Sequence, residues 1–114
     1  MTTRRAVFGL GTLAAATALF AGLAGAAQAQ STDPSFRLNN RSNQTIMELY
    51  ANSSQVSDWG RDHLGANVLP PGQNVIVRLP DGQCVNDIRI VLEGGQNIDR
   101  MQINTCNLTD INYP

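Results

Sequence analysis

The chain has no lysine: its eight basic residues are all arginines, set against nine acids. It has a single histidine and two cysteines, and aromatic residues make up only 5% of it, which leaves few candidates for a ring-lined surface. Each scarcity excludes something. With no basic stripe to neutralise a run of phosphates, nucleic acid is not an expected partner, and binding to an anionic membrane surface is disfavoured for the same reason. One imidazole cannot supply the three or four fixed ligands that a zinc site needs, so neither metal nor any other cofactor is expected. Closely spaced C-x-x-C thiols and a nucleophile-elbow motif are missing too, which removes the usual signatures of dithiol redox chemistry and of serine hydrolysis.

The one long apolar run lies at the start, from Ala6 to Ala27, behind Arg4 and Arg5 and ahead of Ala27-Gln28-Ala29. A short basic start, an apolar stretch and a small-residue end are the parts of a signal peptide in their usual order, so cleavage is expected after Ala29. Adjacent arginines before a weakly apolar stretch containing Gly9, Gly11, Gly22 and Gly25 favour the twin-arginine route over general secretion. A retained membrane anchor is disfavoured, because the run is only mildly apolar and Ser31 to Pro34 breaks it. The expected organisation is a signal peptide at 1–29, a flexible leader at 30–34 and a single small domain at 35–114. That domain would be periplasmic or secreted, with no stable membrane insertion after cleavage. Two of the arginines leave with the signal, so six face nine acids and the formal charge becomes −3.

In an oxidising compartment two cysteines in one small domain are expected to pair, and Cys84 and Cys106 allow one intramolecular connectivity. Closing a loop of about 22 residues stabilises by roughly 3 kcal/mol in the chain-entropy picture, a large share for a domain this short. The rest of the pattern is β. Phe36 to Asn39, Thr45 to Ala51, Val75 to Leu79, Cys84 to Leu92 and the region of Arg100 to Asn104 read as strands, with Pro80-Asp81-Gly82-Gln83 and Glu93-Gly94-Gly95 as turns. In the second of these, Met47, Leu49 and Ala51 form the apolar set. The fold class that follows is all-β, a small antiparallel sandwich or open barrel with one disulfide.

Between Asn52 and Gly72 no periodicity holds, and Ser57 or Asp58 is placed to cap a helical turn running to Leu64. Asp58, Trp59, Arg61, Asp62 and His63 make this loop the densest cluster of chemical groups in the chain. With Tyr50 they form the expected binding surface, and Trp59, Tyr50 and Tyr113 are the rings available to stack on a sugar. No catalytic residue is assigned. An alternative is a small envelope-acting hydrolase using Asp58, Asp62 and His63, though neighbours in sequence seldom meet the geometry of nucleophile and base. Asp87 and Arg89 share a strand face and are placed to pair with each other or with Asp99 and Arg100 across a hairpin.

Phe36-Arg37-Leu38-Asn39-Asn40-Arg41-Ser42, Ile46 with Leu49-Tyr50, Asp58-Trp59-Gly60 with Leu64-Gly65, Leu69 with Pro71-Gly72, and Cys84 with Asp87-Ile88-Arg89 and Cys106 carry a resemblance. The chain resembles a family of short exported bacterial proteins, many with twin-arginine leaders, that has no assigned activity. Asn86 departs from the aromatic residue expected before Asp-Ile-Arg. The resemblance implies a compact module rather than a reaction. The expected function is therefore a non-catalytic periplasmic or secreted binding or interaction module, with an envelope protein or a glycan as partner. Glycan or peptidoglycan binding is one alternative, and assembly through an exposed strand edge is another.

Overall fold

A computed structural model describes residues 31–114; the signal motif at Arg4 and Arg5 and the cleavage residues Ala27 and Ala29 lie outside the described residues. The described chain forms six strands: β1 (Phe36–Asn40), β2 (Ile46–Ser53), β3 (Asn74–Val77), β4 (Val85–Leu92), β5 (Asn97–Asn104) and β6 (Asp110–Tyr113), with a short 3-10 turn at Thr105–Asn107. They make two three-stranded sheets, one in the order β3-β1-β6 and the other β2-β4-β5. All pairs are antiparallel except β1 with β6, which run parallel.

Alternation explains the sheets. Phe36 and Leu38 of β1, Val77 of β3, Leu49 and Ala51 of β2, and Ile88, Ile90 and Leu92 of β4 all turn inward, so the two sheets share one apolar core with Leu64 and Leu69. Burying that set is what drives a chain with so few aromatics to fold. Asn40, fully buried among them, is satisfied: its amide Nδ2 donates to the carbonyls of Gln44 and Leu69, and its Oδ1 accepts from the Ser42 amide and hydroxyl. One side chain thus fixes the turn from β1 into β2 and ties it to the long loop.

Two bulges depart from strict alternation. Opposite β4, Met47 is an extra residue between Ile46 and Glu48, so Ile46 and Leu49 are both buried while Met47 is 40% exposed. The expected inward set of Met47, Leu49 and Ala51 is corrected at its first member, because a bulge restarts the alternation one residue later. In β5, Met101 and Gln102 together oppose Asp87, and Gln102 takes φ 55. The Asp87 carboxylate accepts the Gln102 amide at 2.9 Å and the Ser54 hydroxyl at 2.6 Å, so its partner is the bulge backbone rather than an arginine.

Cys84 and Cys106 are bonded, with Cα atoms 5.1 Å apart, joining the start of β4 to the turn after β5. Beside the bridge, Asn86 is fully buried and hydrogen-bonded to Gln83 and to the Thr105 hydroxyl. Both ends of this buried amide are thereby satisfied. Strand β6 was not among the expected elements. Over Thr32 to Pro34, the segment expected as leader is docked: Gly82 donates to the Thr32 carbonyl at 2.7 Å, and Pro34 is buried.

Candidate functional site

The outward face of the β2-β4-β5 sheet carries the polar side chains that alternate with the core. Register places Tyr50, Arg89 and Asp99 in one row across the three strands. Arg89 grips Asp99 with two parallel hydrogen bonds, Nε to Oδ1 at 2.7 Å and Nη2 to Oδ2 at 2.8 Å. This planar fork is the pairing in which arginine has most directional definition, and the hydrogen bonds from Arg89 hold the Asp99 carboxyl below the ordinary carboxylate range. Tyr50 donates its hydroxyl to Glu48, a hydrogen bond that raises the phenol above its usual value.

Trp59 is brought to this row from the loop. The Arg89 guanidinium lies 4.5 Å from the centre of the Trp59 ring, a cation-π contact with an arginine whose orientation is already set by Asp99. Next to the ring is an open cleft of about 280 Å³ whose lining includes Asn52, Val56, Ser57, Asp58, Trp59 and Met101. Val56 and Met101 are exposed apolar side chains, 45% and 54% respectively, so the cleft combines a ring, two apolar contacts and a polar margin.

The loop cluster does not stay together. Gly60, at φ +70, turns the chain between Trp59 and Arg61, and a Cβ there would lie 3.2 Å from the Asn52 amide nitrogen. That amide donates to the Asp58 carbonyl and carboxylate, so the turn is closed on its other side as well. Past Gly60 the chain runs along the edge of β2 that β4 leaves free. Asp62 Oδ1 accepts the amides of both Leu49 and Leu64 at 2.9 Å, and the His63 amide donates to the Leu49 carbonyl at 2.7 Å. His63 Nε2 sits 3.2 Å from the Ala51 carbonyl, which can only accept, so Nε2 carries the proton. Burial pushes the imidazole below its ordinary value, with Arg61 acting in the same direction and the Ala51 carbonyl against it. Farther along, Ile46 and Leu69 form a two-way backbone bridge. The segment thereby covers a strand edge that would otherwise present unpaired amides and carbonyls.

Of the residues expected to form the surface, Trp59 and Asp58 line the cleft, and Tyr50 joins them through the Arg89 row. Arg61 and His63 line a different cleft, and Asp62 is occupied with backbone amides. The expected helical turn from Ser57 or Asp58 to Leu64 is replaced by bends and a turn at His63 to Ala66. Tyr113 lies on β6 and packs against the core, so it does not share a face with Trp59. Among the described residues no group of three or more histidine, cysteine or acidic side chains is placed to hold a metal ion, and no helix is long and apolar enough to cross a membrane. Arg89, Met101 and Val56 were not expected at the site. Their signal was only partial, since Asp87-Ile88-Arg89 places Arg89 outward but nothing local ties it to Trp59.

Fold and site together define a small two-sheet all-β domain with one disulfide and a ring-bearing open cleft on the outer face of one sheet. No protein-family model, curated protein or solved structure matches the chain.

Proposed function

We propose that the domain works outside the cytoplasm, periplasmic or secreted, as a non-catalytic binding module whose contact surface is the Trp59 cleft and the Tyr50-Arg89-Asp99 row. The observation that carries this reading is the way Trp59 is held. A large ring clamped by an arginine that is itself fixed by a carboxylate presents apolar area at little cost in side-chain freedom, which is what a recognition anchor requires. The bonded cysteines support an oxidising location, and the leader pattern supports export by the twin-arginine route. The single core shared by both sheets supports the finer description of the fold as a sandwich.

The partner class is an envelope protein or a glycan. The glycan reading has its own support in the Asn52 amide, the Ser53 and Ser57 hydroxyls and the Asp58 and Asp87 carboxylates around the ring, the types of group that bond sugar hydroxyls while the ring stacks. The hydrolase reading has less, because Asp62 and His63 are engaged in holding the loop to β2. Capture from envelope extract, run in parallel with sedimentation on purified peptidoglycan, tests the proposal with native protein and Trp59→Ala. Retention by the native protein and loss with the variant is the expected result. Equal recovery of both, or none above a disulfide-matched control in either assay, overturns it. Hydrolysis of envelope polymers that disappears in His63→Ala would replace it with the enzymatic reading.

A further inference from the structure

On the other side of Gly60 lies a second open cleft, of about 430 Å³, and its composition differs from that of the first. The walls come from three separate stretches of chain: Ala51 and Asn52 at the end of β2, the loop at Arg61 and His63, and the segment from Arg78 to Gln83. Both charged residues in the lining are arginines, and no carboxylate lines it. That inverts the balance of the described residues, in which six arginines face nine acids. Among the described residues, the ion pairs are Arg37 with Asp110 and Arg89 with Asp99, so neither Arg61 nor Arg78 spends its guanidinium on an acid. Arg78 acts on Asp33 only through its charge, the weakest influence on that carboxyl, which its hydrogen bonds to Ser35 lower first.

The other polar groups of the lining are engaged. Gln83 donates its amide to Asn86, Asn52 donates to Asp58, and His63 places its protonated nitrogen on the Ala51 carbonyl. Two free guanidiniums are left to meet a ligand, in a lining whose apolar members are Ala51, Leu79 and Pro80. Guanidinium groups pair best with the planar or tetrahedral oxygens of carboxylates and phosphates. The volume falls within the range of small-molecule sites, about 300–1,000 Å³.

From this we infer that the Arg61-Arg78 cleft binds a small organic anion, its carboxylate or phosphate head between the two guanidiniums and its apolar body on Leu79 and Pro80. The two clefts share Asn52, but neither arginine lines the Trp59 cleft and Trp59 does not line this one, so either can fail without the other. The test is a titration of the ¹⁵N-labelled protein, expressed from the full chain and purified with its disulfide formed, with benzoate, phenyl phosphate and neutral benzyl alcohol. Saturable shifts at the amides of Ala51, Leu79 and Gln83 with one or both anions, and none with the alcohol, are expected. Binding of one anion alone supports the proposal and assigns the head group. Affinity is expected to fall about tenfold or more in Arg61→Ala and in Arg78→Ala, and to be unchanged in Trp59→Ala. Both arginines are exposed, so dispersed spectra of the variants will show that the fold is kept. No saturable shift with either anion, equal response to the alcohol, or anion binding that survives in the double variant overturns the proposal.

Discussion

Asp58-Trp59 and Asp62-His63 are two pairs with similar chemistry, an acid followed by a ring, separated in sequence by a glycine and an arginine. They do opposite things. In the first pair Asp58 is exposed and the half-buried Trp59 borders a cleft, and no backbone amide from Ser57 to Asp62 donates to a protein group among the described residues. The second is bound into the edge of β2 by four hydrogen bonds, two to the Asp62 carboxylate, one from the His63 amide and one from its ring. Chemical type therefore did not decide which pair is available to a partner. The neighbouring strand edge did, because unpaired backbone groups on β2 took the nearest acceptors and donors.

The largest effect that separates the pairs is expected from Asp62→Ala. Removing the carboxylate leaves the Leu49 and Leu64 amides without their acceptor, at a cost of about 1–3 kcal/mol, read as a lower urea midpoint; the same change at Asp58 is expected to move it by less than half as much. Next comes Gly60→Ala, which puts a side chain at positive φ against Asn52 and is expected to cost about 1 kcal/mol or more. Its second signature is a change in tryptophan fluorescence, since the turn aims the ring.

A smaller effect is expected from pH. Because burial holds His63 below its ordinary value in the folded protein, the unfolded chain takes up a proton first as acid is added. The stabilisation is therefore complete above the ordinary histidine value near 6.5 and is lost as pH falls from there toward the depressed folded value. His63→Gln is expected to flatten that part of a stability-pH profile, whereas Trp59→Phe leaves it unchanged. The smallest stability change is expected from Arg89→Ala, whose ion pair with Asp99 lies at the surface, where screening by water leaves such pairs little net effect on folding. Its main consequence is a looser Trp59, visible as lower fluorescence anisotropy.

Much of the frame was legible from local pattern. The alternation of Ile88, Ile90 and Leu92, the Pro80 to Gln83 turn and the two cysteines needed no information from elsewhere in the chain. What escaped was set by distant partners. β6 has only four residues and exists because Arg37 to Asn40 lies beside it in parallel register. The Met47 bulge is defined against β4, and the Gln102 bulge against Asp87. At the site, the sequence placed Asp58 to His63 in one loop but carried no mark that Gly60 sends its halves to different clefts. Nor did it mark Arg78 as a neighbour of Arg61, because those residues come from separate stretches joined only by the fold.

Amide hydrogen exchange tests most directly the claim that one pair is structural and the other presented. The amides of Leu49, His63 and Leu64 are expected to exchange on the order of a hundredfold more slowly than those of Ser57, Asp58 and Trp59. Similar rates across the two groups, or slower exchange at Asp58 and Trp59 than at His63 and Leu64, would contradict the account.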